Sequence, residues 1–61
     1  RFTHIYVECS FVELYAGQSL ADEVIRYLDE RNFNMIGVYN PQYGPNGEAI
    51  QADLLFWNHE R

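Results

Sequence analysis

Three side chains in the first third of the sequence are candidates for chemistry on a bound molecule: Glu8, Tyr15 and Gln18. Glu8 falls near the carboxyl end of a predicted strand, which is the edge where open α/β sheets place their ligands. A carboxylate there can orient a hydroxyl group or remove its proton. The structural alternative is a Glu8 that accepts hydrogen bonds from backbone N–H groups of the following loop.

Tyr15 and Gln18 fall in the loop after that strand, where a phenol and an amide can line a substrate pocket. The alternative for Tyr15 is a ring packed on the sheet with its hydroxyl hydrogen-bonded. We expect structural roles for three other polar side chains. Asp53 should bond loop backbone or an arginine, and Tyr39 and Asn40 should form the entry to a turn.

The sequence gives little indication of a metal site or of a reactive cysteine. His4, Glu8 and His59 show no local ligand spacing such as His-x-x-x-His. Cys9 is expected on a buried strand face as a small hydrophobic residue, because no basic residue nearby would lower its thiol pKa. We therefore predict neither a metal site nor a nucleophilic cysteine.

Length and composition restrict the class of protein. With 61 residues the chain is one domain at most, and such a domain buries only about 60% of its unfolded surface. A hydrophobic content of 48% excludes a disordered tail. The formal net charge of -5 repels phosphate and anionic lipid, so we expect no nucleic-acid or membrane partner.

Cysteine content and hydropathy suggest a compartment. The single cysteine cannot form an intrachain disulfide, which small secreted domains usually carry. The sequence contains no apolar run of roughly 20 residues and no signal-peptide pattern at its start. We expect a cytoplasmic protein.

Alternating and helical hydrophobic patterns predict the elements that would position the candidate residues. Alternation predicts a strand over residues 3–10. Ser19 is predicted to be the N-cap of a helix beginning at Leu20, with Asp22 as the acid of a shortened capping box. Asn32 is predicted to end that helix in a left-handed conformation. The apolar face of the helix comprises Leu20, Val24, Tyr27 and Leu28.

The second half of the sequence predicts a hairpin. Residues 33–39 form a strand that Gly37 weakens or opens to a close approach, and residues 49–57 form another. Between them residues 40–47 contain both prolines and the reversal signal Asn46-Gly47. The order is β, α, β, β, and the third strand can lie beside the first or at the outer edge. Periodicity does not choose between these topologies.

Several short motifs occur together in an order typical of one family. The sequence resembles the C-terminal part of the FkbM family of S-adenosylmethionine-dependent methyltransferases over nearly its whole length. In that family a strand, a Tyr-x-Gly-Gln loop, a helix, a Tyr-Asn hairpin and a final strand follow one another. The matching segments are Glu8-Cys9-Ser10, Tyr15-Ala16-Gly17-Gln18, Tyr39-Asn40 and Gln51-Ala52-Asp53-Leu54-Leu55-Phe56.

The resemblance implies an α/β fold, namely a β-α-β-β fragment of a Rossmann-like methyltransferase sheet. The implied strand order is 1-3-2, with the last strand antiparallel and one helix on a face. Residues 1–61 would be the C-terminal segment of a methyltransferase domain, and the start at Arg1 without methionine also suggests a fragment. The segments that bind S-adenosylmethionine would lie upstream of Arg1, so this chain alone should be inactive and bind no cofactor.

The resemblance also implies an activity for the parent enzyme. That activity is O-methylation of a sugar or secondary-metabolite hydroxyl, on a small-molecule or glycan acceptor. Glu8 would be the catalytic residue, and Tyr15 and Gln18 would contact the acceptor. The alternative function is a small non-catalytic β-α-β-β module that binds a protein. By itself the unit leaves its first strand with an unpaired edge, where the fourth strand of the full sheet would lie, and this edge invites pairing with another chain, including self-association.

Overall fold

The computed structural model describes residues 3–58. The elements follow in the order β1 (His4–Ser10), α1 (Ala21–Asp29), β2 (Phe33–Tyr43) and β3 (Ala49–Asn58), and the predicted order β, α, β, β is confirmed. Strand β2 is longer than predicted and runs to Tyr43 rather than Tyr39. Among residues 3–58, no helix has the length and apolar character needed to cross a membrane.

The three strands form one sheet in the order β1-β3-β2. Strand β3 is antiparallel to both neighbours, so β1 and β2 run parallel to each other on either side of it. The inner face of β3 explains its central place, because Ala52, Leu54 and Phe56 are at most 2% exposed. Neighbours on both sides remove the most apolar surface from water for the strand whose apolar face is most deeply buried, and this burial stabilises the fold.

The core lies between the inner face of the sheet and α1. Cys9 of β1 belongs to it, as predicted, and Ala21 and Leu28 are the buried positions of the helix. Partly buried residues complete the packing around this core: Ile5, Val7, Val24, Ile25 and Phe33. The opposite face of the sheet has no helix over it among residues 3–58.

The prediction that Ser19 caps the helix is wrong. Leu20 occupies the N-cap position with φ -96° and ψ 166°, so the helix begins one residue later than predicted. Leu20 is extended because it pairs in parallel with Ser10 at the end of β1. Its N–H group donates to the Glu23 carboxylate at 2.9 Å, so Glu23 rather than Asp22 is the acid that reaches back.

Two asparagines adopt the left-handed conformation. Asn32 has φ 69° just after α1, which confirms its predicted place at the end of the helix. Asn40 has φ 51° inside β2, in an irregular segment between Tyr39 and Gln42. Two further irregularities lie between Met35 and Gly37 and between Gln42 and Tyr43. All three interruptions lie in the pairing of β2 with β3.

Candidate functional site

Polar side chains of all three strands meet on the face of the sheet opposite α1. Glu8 of β1 lies directly across from Asp53 of β3, and Tyr39 of β2 lies across from Asp53 on its other side. These positions alternate with the buried ones, so their side chains share the outer face. We call this group the polar cluster, and its members are Tyr6, Glu8, Tyr39, Asn40, Gln51 and Asp53.

Within the polar cluster, Glu8 is held by a side chain of the central strand. The Gln51 amide donates from Nε2 to Glu8 Oε2 at 3.0 Å. The partner of Glu8 is therefore an amide of the adjacent strand and not the loop backbone considered from the sequence. The Glu8 side chain is exposed, so its carboxylate is accessible to a molecule bound on this face.

Asp53 accepts two hydrogen bonds on a single oxygen. The Tyr6 hydroxyl donates to Asp53 Oδ2 at 3.1 Å, and Asn40 Nδ2 donates to the same oxygen at 2.9 Å. The partners predicted for Asp53, loop backbone or an arginine, were wrong. Asn40 contributes directly to the cluster, whereas the sequence suggested only a turn entry.

Two tyrosine rings flank the Asp53 carboxylate. The ring centroids of Tyr6 and Tyr39 are 6.2 Å apart and the ring planes are inclined by 47°. This separation is within the range of favourable aromatic pairs. Gly37 leaves room for this arrangement, because a Cβ atom there would lie 2.7 Å from Tyr39 Cε2. The group that approaches Gly37 closely is therefore the aromatic ring of Tyr39.

Two titrating groups near the cluster have raised pKa values. Desolvation raises the pKa of Tyr6 above 10.0, and its hydrogen bond to Asp53 acts in the same direction. Because Tyr6 is 58% exposed, we give the hydrogen bond more weight than desolvation. Burial raises the pKa of the Cys9 thiol, and the Asp53 and Glu8 carboxylates add to the effect. Cys9 is thus poorly suited to act as a nucleophile.

Gln18 organises the loop between β1 and α1. Its Oε1 accepts the Leu14 N–H at 2.8 Å, and its Nε2 donates to the Ser10 hydroxyl at 2.8 Å. Ser10 is buried, so this bond satisfies a polar group that water does not reach. Both polar atoms of the Gln18 side chain are already bonded within the chain. A substrate contact by Gln18 would have to share or replace one of these bonds.

Tyr15 extends from the same loop into solvent. Its side chain is 67% exposed, so it does not pack on the sheet as the structural alternative assumed. The loop around it is closed by the Gly17 N–H, which donates to Glu13 Oε2 at 3.0 Å. Gly17 has φ 82°, a conformation that favours glycine. The structure brings Gln18 to the end of β1 and leaves Tyr15 on an exposed turn.

A groove that the sequence did not predict lies on the other face of the sheet. It has a volume of about 560 Å³ and lies between the inner face of β1 and α1. Because it opens on the face opposite Glu8, it is separate from the polar cluster. The alternating and helical patterns identified most of its residues as core. The groove is lined by Ile5, Val7, Ser19, Glu23, Val24, Tyr27 and Leu28.

Across residues 3–58, no three histidine, cysteine, aspartate or glutamate side chains come close enough together to hold a metal ion. His59, one of the three residues weighed for a metal, lies outside the described residues.

The fold and the polar cluster define a small α/β unit with a carboxylate-containing outer face. No protein-family model matches the chain, and comparison with curated proteins and with solved structures finds nothing similar.

Proposed function

We propose that the chain is the C-terminal segment of an S-adenosylmethionine-dependent methyltransferase of the FkbM type. Its parent enzyme would methylate a hydroxyl group of a sugar or a secondary metabolite. The observation that carries the proposal is the strand order β1-β3-β2, with β3 antiparallel between two parallel strands. Hydrophobic periodicity left two topologies open, and the resemblance implies this one.

The connection between β1 and β2 also supports the proposal. The chain leaves β1, forms α1 over one face of the sheet and returns in β2, two positions away. It then reverses at a turn in which Gly44 N–H donates to the Glu48 carbonyl at 2.8 Å, and β3 enters the gap. A helical crossover followed by an inserted hairpin strand is the arrangement implied for the end of a methyltransferase sheet.

Glu8 is the proposed catalytic residue. In the parent enzyme its carboxylate would orient the acceptor hydroxyl or take its proton, while Gln51 holds Oε2 in place. Tyr15 and Gln18 are the proposed acceptor-binding residues, on the loop that follows β1. S-adenosylmethionine, when bound to the parent enzyme, would supply the methyl group that is transferred.

The residues of this chain do not by themselves fit the cofactor. The only glycine between β1 and α1 is Gly17, and its N–H is already bonded to Glu13. Gly44 and Gly47 belong to the hairpin turn, where the Gly47 N–H donates to the Gly44 carbonyl at 3.0 Å. Neither segment is a glycine-rich turn between a strand and a helix. We therefore assign no residue of this chain to cofactor binding.

A cofactor titration tests the proposal. The native reading frame upstream of Arg1 would be sequenced, and the full-length product would be titrated with S-adenosylmethionine by calorimetry. We expect binding by the full-length product and none by residues 1–61 alone. Full-length protein that binds no cofactor, or micromolar binding by the 61-residue chain, would contradict the proposal.

The second candidate function is a small non-catalytic interaction module. The specific observation in its favour is that β1 is an edge strand with the apolar groove beside it. Edge strands of this kind recruit further strands through backbone hydrogen bonds. A reading frame that begins just before Arg1 would favour this function over catalysis.

A further inference from the structure

Within residues 3–58, one edge of the sheet presents backbone groups that pair with no other strand. Strand β1 has β3 on one side, and the Asn58 N–H donates to the Thr3 carbonyl at 2.8 Å. At the other end the Phe11 N–H donates to the Ile50 carbonyl, also at 2.8 Å. In an antiparallel ladder bonded residues alternate with residues whose N–H and C=O groups point away. The odd-numbered residues of β1 therefore face β3.

The even-numbered residues of β1 direct their backbone groups to the open edge. These residues are His4, Tyr6, Glu8 and Ser10, and among residues 3–58 the pairing on that side is the bridge between Ser10 and Leu20. Backbone groups of residues 4–8 are thus available to another strand. This stretch contains neither proline nor lysine, the residues that commonly protect an edge.

The order of side chains along this edge is complementary to itself. We propose that β1 pairs antiparallel with β1 of a second copy, centred on Tyr6, to form a six-stranded sheet across a two-fold axis. In this register His4 of each copy lies opposite Glu8 of the other, and Ile5 lies opposite Val7. Because of the two-fold axis each pair occurs twice, so two imidazole–carboxylate pairs and two pairs of β-branched residues form across the interface.

Other registers lack this complementarity. A pairing centred on Glu8 would place the two Glu8 carboxylates opposite each other, which is repulsive. A pairing centred on Val7 would require Ser10, whose open side already pairs with Leu20. In a register shifted by one residue, residues whose backbone N–H and C=O groups point to the open edge would lie opposite residues of the second copy whose backbone groups point to their own β3. The Tyr6-centred register satisfies the outward backbone groups of His4, Tyr6 and Glu8.

The groove supplies an apolar surface to the same interface. A two-fold axis perpendicular to the sheet places both α1 helices on one face, and Ile5 and Val7 of both copies then form a continuous floor. Val24 and Tyr27 line the groove from the helix, and Tyr27 is 56% exposed. The dimer would therefore cover apolar area that a single chain leaves in water.

This inference rests on the second candidate function, the interaction module, and concerns the chain without a further strand beside β1. In a longer chain that supplied its own strand beside β1, that strand would replace the second copy. A failure to dimerise would leave the cofactor titration of the full-length product unaffected. Conversely, a dimer of the 61-residue chain would say nothing about methyl transfer.

Charge reversal across the two-fold axis tests the register. Sedimentation velocity over a hundredfold range of concentration should show a monomer–dimer equilibrium for the 61-residue chain. Glu8→Lys places two basic groups opposite each other at two positions, and should raise the dimer dissociation constant about tenfold. Adding His4→Glu places a carboxylate opposite each introduced ammonium group and should restore dimerisation. Asp22→Lys is the matched control, because it changes net charge equally on an exposed helical position.

Glu8→Lys should not unfold the chain, because the introduced ammonium group would face the Asp53 carboxylate, which has the opposite charge. Far-UV circular dichroism checks that each variant is folded. A monomer at every concentration, or a Glu8→Lys dimer that is as tight as the unmodified one, would overturn the proposal.

Cross-linking provides an independent measurement of the register. In a Cys9→Ala background, Tyr6→Cys places a thiol opposite its own copy, where Cα atoms of a hydrogen-bonded pair are about 5.5 Å apart. This separation suits a disulfide. Tyr6→Cys should therefore oxidise to a covalent dimer, whereas His4→Cys, which faces Glu8, should not. Equal cross-linking of both variants would contradict a Tyr6-centred pairing.

Discussion

Glu8 and Asp53 lie directly opposite each other on neighbouring strands, and each carboxylate is held by different partners. Gln51 donates to Glu8, whereas Tyr6 and Asn40 donate to Asp53. Like charges at opposed positions destabilise a sheet, and the three donors offset part of that repulsion. Two acidic side chains therefore share one exposed face of the sheet. We infer that the remaining repulsion between them lowers the stability of the fold.

At concentrations at which the isolated chain is monomeric, Glu8→Gln should therefore stabilise it. Removing one of the two opposed charges is expected to raise the free energy of unfolding by about 0.2–1 kcal/mol. The amide oxygen of the new side chain can still accept from Gln51. Urea denaturation at neutral pH measures the change. If the proposed function is right, the same substitution should instead lower the turnover number of the full-length methyltransferase, because the proposed proton acceptor is lost.

Asp22→Asn is the matched control for this prediction. It also removes one carboxylate, but at the first turn of α1, where a negative charge is favourable. We expect this variant to lose about 0.3–1 kcal/mol of stability. If Glu8→Gln destabilises the isolated chain as Asp22→Asn does, repulsion between Glu8 and Asp53 is not significant.

The Tyr6 phenol should titrate above pH 10, with a lower pKa in Asp53→Asn. The fold raises the pKa of Tyr6 through desolvation and the bond to Asp53, so it favours the neutral phenol. This contribution to stability is complete below the unfolded pKa and is lost as the pH rises through the folded pKa. Ultraviolet titration of tyrosinate follows the group, and chemical denaturation at pH 9 and above follows the stability.

The other tyrosines absorb in the same spectral region, so Tyr6→Phe is needed as the control. The difference between the two titrations isolates the Tyr6 phenol. An Asp53→Asn variant in which Tyr6 titrates at the same pH as in the unmodified chain would show that the hydrogen bond to Asp53 has no effect.

Gly37→Ala should be stabilising only when the Tyr39 ring is removed. Alanine in a strand is favoured over glycine by roughly 0.5–1 kcal/mol. In the unmodified chain the new methyl would lie 2.7 Å from Tyr39 Cε2, so the ring must move away from Tyr6. The lost aromatic contact should cancel that gain, since such a pair contributes about 0.5–1.5 kcal/mol.

A double-mutant cycle of Gly37→Ala and Tyr39→Ala measures this coupling by urea denaturation. We expect a coupling free energy of about 0.5–1 kcal/mol between the two positions. Additive effects of the two substitutions would indicate that the ring of Tyr39 is not held over Gly37.

The candidate site was only partly predictable from the sequence. Glu8 was identified by its place near the end of a strand, but its bond to Gln51 joins residues 43 positions apart. The partnership of Tyr6 with Asp53 spans 47 positions, and neither the alternation nor the turn signals connect these residues. The groove was not predicted for the same reason. The sequence of a helix or a strand shows which of its faces is apolar, but not which element lies against that face.

Some features of this protein were determined by the sequence alone. Alternation defined β1 and β3, the helical spacing defined α1, and Asn32 ended the helix because it tolerates a positive φ. The buried place of Cys9 followed from the same alternation. These features are local, since each depends on the conformational preferences of a few consecutive residues.

Other features were decided by the tertiary structure. Periodicity allowed two strand orders, and the central position went to β3, whose Leu54 and Phe56 are almost completely buried. The start of the helix moved from its predicted cap because Leu20 pairs with Ser10 across the loop. Side-chain alternation shows which face a residue occupies but not which strand lies beside it. That choice depends on burial and hydrogen bonding between segments distant in the chain.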